Sequence, residues 1–471
     1  MKIALLSPKG PLYRHRGGIF RKSLRYAPRT LPTLAALVPK DLDAEIRIID
    51  EGIEEIPDDL QADLVGMTCI TGSSIRAYEL AGRFRERGIP VVLGGPHITL
   101  APADAQPHAD AIVVGYAEKT WPQLLRDLAA GKLQPRYDMA PGHSLEGMPH
   151  PRWDLVKTEH YFTHNVFEAS RGCIHNCEFC VVPAAWGKKP YLRPVEEVVA
   201  EVRARGVRKA LFIDLNIIAD VDWAKELFRA FIPLKIRWFG LSTMLITRDK
   251  ELLDLATRSG CGGLLIGYES LTPEGLRGTF KTFNALKDRQ PGDDECRSGV
   301  AADSEEIKAK YLEVTRALHA RDIAIQGCFV FGLDHDTPDS IMETARFAVE
   351  AGIDLPRFAI STPFPGTALF HRLEKEGRIL TRDWQLYDAQ HVVFQPANMT
   401  PAQLYDAHEK AWKLAYSYRG IARRLATSRT QVPLAIASNL GYRFYAHHLH
   451  TFYNCDWHLG REATRPASET A

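Results

Sequence analysis

No segment of this sequence comes near the roughly 18 consecutive apolar residues that a membrane-crossing helix needs. The N-terminal MKIALLSPKG holds an apolar run of only four residues before Ser7 and Pro8, too short for the core of a secretory signal. The expected location is therefore the cytoplasm. An excess of charge of one sign is also missing, since 59 Lys and Arg stand against 58 Asp and Glu. With no overall field to attract polyanions, neither nucleic acid nor a membrane is an expected partner. Cysteine is sparse, eight in 471 residues. In a reducing compartment those thiols are core residues, catalytic groups or metal ligands rather than a disulfide framework.

What is present fits a globular chain of two or three domains, 45% hydrophobic and 25% charged. Residues 1–135 alternate short apolar runs (KIALL, AEIRIID, DLVGMTCI, PVVLGG, AIVVG) with helical periodicity, as in SSIRAYELAGRFRERG. That alternation predicts a doubly wound parallel sheet, an α/β domain that binds ligand beyond the carboxyl ends of its strands. Those ends carry Thr71, Gly72, Ser73, Gly94 and Gly95, small residues that let a bulky ligand approach the backbone, or that simply turn the chain. A Pro, His and Gly-rich linker is expected over 136–164. Six further strand and helix units over 165–370 predict a partial (β/α)6 barrel with its chemistry at the strands' carboxyl ends. Residues 371–460 read as a helical C-terminal region capping the barrel mouth, and 461–471 as a disordered tail. The polar stretch 288–306, with Cys296, reads as an exposed loop. Cys69, Cys261 and Cys328 read as core.

Three of the eight cysteines fall within EASRGCIHNCEFCVVPAAWG: Cys173, Cys177 and Cys180, spaced C-x3-C-x2-C just after the first barrel strand. Structural zinc closes its tetrahedron with a second close pair, and none follows. His175 lies inside the constrained loop and serves poorly as a fourth ligand. An iron-sulfur cubane held by three thiolates, with one iron open to substrate, fits better than zinc or buried structural thiols, without excluding them.

With Phe179 directly before the last cysteine, this loop resembles the signature of radical S-adenosylmethionine enzymes. The stretches RKALFIDLNIIAD, SGCGGLLIGYES and CFVFGLDHDTPDS look like later strands of that family's barrel. VVLGGPHITLAPADAQPHADAIVVGYAEKTWPQLL resembles the cobalamin-binding domain that precedes it in one subclass, and TPFPGTALF and RDWQLYDAQHVVFQP also recur there. The resemblance implies that Cys173, Cys177 and Cys180 ligate a [4Fe-4S] cluster. It places Glu269, with Asp214, Asn216 and Ser242, near S-adenosylmethionine, and Thr71, Gly72, Ser73, Gly94 and Gly95 around the tail of cobalamin. Arg171 and Lys188 flank the cluster loop and could offset its charge. The first domain departs from pattern. SPKGPLYRHRGGIF lacks the Asp-x-His-x-x-Gly motif that puts a histidine below cobalt, and GYAE stands where many members carry Gly-Glu-Gly-Glu. Binding of cobalamin with no protein ligand below the metal is then implied, or loss of the cofactor with retention of the fold.

The resulting expectation is a cobalamin-dependent radical methyltransferase acting on an unactivated carbon or phosphorus of a small-molecule substrate. It would draw electrons from a flavodoxin or ferredoxin. A cobalamin-independent 3-amino-3-carboxypropyl transferase or another radical oxidation or rearrangement is the enzymatic alternative. A non-catalytic zinc or iron-sulfur sensor is the alternative of another class. Trp384, Tyr387, His391 and the turn 363–367 are candidates to shape a substrate pocket.

Overall fold

The computed structural model describes residues 1–10, 23–140, 143–284, 303–428 and 430–449. Cys296, the tail 461–471, part of a basic run over 14–29 that carries Arg14, Arg16, Arg21, Lys22, Arg25 and Arg29, and part of the stretch 288–306 lie outside them. Within that last stretch, Asp303 caps the helix Ser304–His319 by accepting the backbone N–H of Glu306, so 303–306 start a helix.

The first lobe is one parallel sheet of six strands. In space they run Glu45–Asp50, Lys2–Ser7, Leu64–Thr68, Val91–Gly94, Ala111–Val114 and Arg136–Asp138. The last of these is short and alternating, and falls where the sequence suggested only a linker. Numbered along the chain, the order is 2-1-3-4-5-6. The crevice therefore opens between the first and third strands, where the winding reverses. Apolar side chains leave both faces of the sheet. Ala4, Leu6, Val65 and Leu93 pack one way; Ile3, Leu5, Val92 and Trp121 pack the other.

The second lobe is a sheet of six parallel strands in chain order: Val166–Phe167, Lys209–Phe212, Arg237–Ser242, Cys261–Glu269, Ala324–Phe331 and Arg357–Ile360. Helices Val195–Arg205, Val221–Phe231, Lys250–Arg258, Ser304–His319 and Pro338–Glu350 return the chain between them. A barrel of six rather than eight strands stays open at its edges, which must be protected from other chains. The C-terminal helices supply that protection, lying along the last strand and against Pro338–Glu350 rather than across the mouth. Trp412 Nε1 donates to the carbonyl of Phe358 at 3.1 Å and Tyr416 hydroxyl to that of Pro356 at 2.8 Å, satisfying edge acceptors from the side.

The two lobes are fastened to each other through buried charge. The Arg29 guanidinium, just before the first-lobe helix Thr30–Ala36, pairs bidentately with Glu201 of Val195–Arg205 at 2.6 and 2.9 Å and donates to the carbonyl of Val166. Arg193 reaches the same carboxylate at 2.7 Å, and both arginines and Glu201 are buried. Tyr161 adds a hydroxyl bond to Asp50.

Candidate functional site

The cysteine loop leaves the first barrel strand through a two-residue ribbon, Ser170–Arg171 paired with Tyr191–Leu192, and ends at the helix Val181–Trp186. Gly172 opens it with φ +83°; a side chain there would meet the carbonyl of Lys189 at 2.7 Å. Glu178, between the second and third cysteines, holds the loop from several sides. Its N–H donates to Thr279, its carbonyl accepts from Leu369, and its carboxylate takes Arg372 Nε at 2.6 Å. Burial pushes the Cys177 thiol up to about 12 and the Cys180 thiol up to about 11, with the neighbouring thiols adding to the rise in both. All three thiols are half-buried on one loop, and serving there as thiolate ligands would require a cationic group to offset their charge. A cluster whose irons take one thiolate each suits a set strung along a loop better than a single ion, around which donors must converge.

Beside this loop lies Glu269, last residue of its strand. It has φ +65°, and the register slips between Gly267 and Glu269. Such a backbone is costly for a residue with a side chain and points to a functional constraint. Its carboxylate is buried, 2.5 Å from Lys281 Nζ, and Lys281 also donates to the carbonyl of Gly267 at 3.0 Å. The thiols of Cys177 and Cys180 sense both charges, with Lys281 pulling them down and Glu269 pushing them up. The sequence reading missed Lys281; its signal was a lone lysine in GTFKTFN. His175 stacks on Phe283 with ring centroids 4.1 Å apart, and burial lowers its pKa to about 4.

The other proposed residues fall into two groups. Asp214 is consumed by structure: it accepts the N–H of Ala169 and of Ser170 and the hydroxyl of Ser170, and burial pushes its pKa up to about 6. Ser242 likewise turns its hydroxyl to the carbonyl of Thr243 at 3.1 Å. In contrast, Asn216 is 1% exposed and neither end of its amide has a partner among the described residues. The same holds for the Thr243 hydroxyl. Both follow barrel strands at their carboxyl ends, where a polar ligand would complete them.

A cavity of about 320 Å³ runs between the lobes. At its deep end Leu5, Val92, Val113 and Trp121 of the first lobe make an apolar slot beside Gly66, where a Cβ would stand 3.1 Å from Leu5 and 3.2 Å from Trp121. Its mouth passes Thr68, Gly94, Gly95 and Gly115 and meets Ser170, Arg171, Trp186, Ile213 and Leu215 of the second lobe. Gly94 and Gly95 line it; Thr71, Gly72 and Ser73 do not. They form a buried turn at which Thr71 Oγ1 lies 3.4 Å from His97 Nδ1. A narrow apolar slot with a glycine rim fits a flat ring on a long tail, as cobalamin presents. The cavity lining includes no histidine among the described residues.

Arg171 faces this mouth rather than the cluster. It pairs with Glu118 and with Glu168 at 2.8 Å and lies 4.9 Å from the Tyr116 ring, which stacks on Trp186 at 5.3 Å. Lys188 is exposed. Trp384 caps a first-lobe network instead of lining the cavity, its indole donating to Asp104 at 3.2 Å and its ring packed edge-on to His97. Tyr387 donates to the carbonyl of Thr381, and His391 pairs with Asp388 at 2.9 Å. Cys69 and Cys261 are buried and Cys328 half-buried.

Comparison with known proteins follows the same division. Residues 29–125 match the family model of the B12 binding domain, 167–348 that of the Radical SAM superfamily, and 367–467 a Domain of unknown function (DUF4070). The bacteriochlorophyllide d C-12(1)-methyltransferase of Chlorobaculum tepidum is 29% identical over 410 residues, 84% of each chain. The hopanoid C-2 methylase of Rhodopseudomonas palustris is 25% identical over 376 residues, 76% of this chain and 66% of the relative. The radical S-adenosylmethionine methyltransferase TsrM from Kitasatospora setae, solved with cobalamin and a [4Fe-4S] cluster, superposes with a TM-score of 0.62 at 17% identity. It covers 88% of both chains and so shares the fold.

Proposed function

From the premise that this chain belongs to the radical S-adenosylmethionine enzymes that carry an N-terminal B12-binding domain, we propose that it transfers a methyl group to a carbon atom of a small-molecule acceptor. The observation that carries this reading is the single cavity whose slot belongs to the first lobe and whose far wall is the carboxyl end of the barrel's first two strands. The cavity meets the barrel at Glu168, Ser170 and Arg171, which lead straight into the cysteine loop, so a cofactor held by the first lobe would lie beside the cluster residues. Relatives matched over most of their length are named for methyl transfer to numbered carbons of bacteriochlorophyllide d and of a hopanoid. We carry over the reaction class and not the acceptor.

Cys173, Cys177 and Cys180 would hold the cluster, and Gly66, Thr68, Gly94, Gly95 and Gly115 would cradle cobalamin. When bound, the cluster supplies an electron for cleaving the sulfonium and cobalamin supplies the methyl carrier. The remaining work belongs to the chain. Glu269, fixed by Lys281, presents a carboxylate oxygen to the hydroxyl or ammonium groups of S-adenosylmethionine. Asn216 and the Thr243 hydroxyl offer it a buried amide and hydroxyl. Tyr116, Trp186 and Arg171 close the chamber wall between the lobes and keep water from it.

The test is mass spectrometry of products after anaerobic reconstitution with iron, sulfide and cobalamin, then addition of S-adenosylmethionine and a strong reductant. 5'-Deoxyadenosine together with S-adenosylhomocysteine, both lost in Cys177→Ala, is the expected result. 5'-Methylthioadenosine as the main product would replace methyl transfer with aminocarboxypropyl transfer.

A further inference from the structure

The near-zero net charge conceals a strongly uneven stretch. Between 410 and 449 there are seven Lys or Arg and no Asp or Glu. Lys410, Lys413, Arg419 and Arg423 in it are exposed; Lys413 lies 3.6 Å from Glu409 and Arg423 3.8 Å from Glu350, while Lys410, Arg419 and Arg443 add positive charge beside them. The last described helix, Val432–His447, lies in this stretch. A helix on the surface of a globular protein turns charged or polar side chains to water. This one does the opposite.

Its inward half packs Asn439, Tyr442, Tyr445 and Ala446 toward Trp412 and Tyr416. At 100° per residue, Ile436, Leu440 and Phe444 fall within about 80° of one another as a ridge on the opposite half, with Val432 at one edge of the exposed arc and Leu434 at the other. All five are exposed, between 40% and 51%. Pro433, Ala437 and Gly441, also exposed, fill the gaps without adding charge. The basic groups flank this ridge. Arg443 lies 3.8 Å from the ring of Tyr418, itself 69% exposed, and the charge of Lys413 reaches His447.

We infer that this helix lies flat on an anionic lipid surface, its aliphatic ridge entering the headgroup boundary while the flanking lysines and arginines meet lipid phosphates. Convex, evenly spaced Val, Leu, Ile and Phe suit a fluid apolar phase, whereas a protein groove selects a few aromatic or arginine anchors. A second copy of the same surface would bring two sets of positive charge together. No helix among the described residues is long and apolar enough to cross a membrane, so the contact is interfacial. The whole-chain charge balance, which spoke against any membrane contact, averages this patch away. The inference does not depend on the proposed reaction.

The experiment is flotation of the full chain with vesicles of phosphatidylcholine alone or mixed with phosphatidylglycerol. Capture by the anionic vesicles, weakened by salt and absent with neutral ones, is expected. The double variant Leu440→Glu with Phe444→Glu lowers partitioning by about tenfold or more, as does Lys413→Glu with Arg419→Glu, both with unchanged thermal unfolding. Equal recovery from anionic and neutral vesicles, or variants that bind like the parent, overturns the inference. So does a dimer in light scattering that Leu440→Glu with Phe444→Glu splits while vesicles capture nothing, because the ridge then belongs to a second copy.

Discussion

Lys281 Nζ sits 2.5 Å from Glu269 Oε1 in a buried pair beside the cysteine loop, at a strand end where the backbone of Glu269 takes φ +65°. Removing one partner strands the other charge in a dry site. Lys281→Met is expected to lower unfolding stability by about 3–5 kcal/mol, with Glu269→Gln added to it restoring most of the loss. Denaturant unfolding of the protein as isolated measures both.

The cysteines make a sharper claim. Cys173→Ala, Cys177→Ala or Cys180→Ala should each reduce iron in the reconstituted protein from about four per chain to a small fraction. The fold persists in each, since Glu178 holds the loop independently through Thr279, Leu369 and Arg372. Iron and sulfide analysis beside circular dichroism separates the two effects.

Gly66 tests the slot. Val at this position puts a side chain against Leu5 and Trp121 from a Cβ already 3.1 and 3.2 Å from them. Gly66→Val is expected to weaken cobalamin binding by about tenfold or more, read from the visible absorbance of the bound corrin, with iron content unchanged.

Asp336 carries a pH signature. Its carboxylate accepts the N–H of Gly332 and of Leu333, each at 2.9 Å, yet burial pushes its pKa from the ordinary 3.8 up to about 7. The folded chain thus keeps this proton where the unfolded chain has released it. Stability falls as pH rises from 3.8 toward 7 and levels off above. Asp214, raised to about 6, adds to the same slope. Asp336→Asn keeps an acceptor oxygen and removes its share, so thermal unfolding scanned over about pH 4 to 8 should show a flatter profile with the gain at the alkaline end.

Much of this was legible in the sequence because it rests on local pattern. The alternation of strand and helix, the helices from PVEEVVAEVRARG to DSIMETARFAVEAG, and the Cys spacing all declare themselves within a short window. What stayed hidden depends on distance along the chain. Arg29 reads as one member of a basic run until the fold brings it to Glu201, and Lys281 as a solvated lysine until it meets Glu269. Arg171 was assigned to the cluster by proximity in sequence, but Glu118 and Glu168 turn it toward the cavity. Asp214 and Asn216, two residues apart, part company because one finds backbone donors at Ala169 and Ser170 and the other finds none. The C-terminal helices were misplaced over the mouth since their apolar faces say only that they pack, not on what.

The glycine rim of the cavity bears on how such a protein can diversify. At Gly95, φ is +100° and a Cβ would stand 2.9 Å from the backbone N and O of Cys69; at Gly115, φ is +85° and it would crowd Met139. Substitution at either position breaks the chamber before it reshapes it. The opposite wall has no such constraint: Trp186, Ile213 and Leu215 are ordinary side chains on the barrel lobe, and Leu215 is 41% exposed. Descendants of this chain that come to accept a new molecule are free to change that wall, while the cofactor side stays frozen by its own backbone.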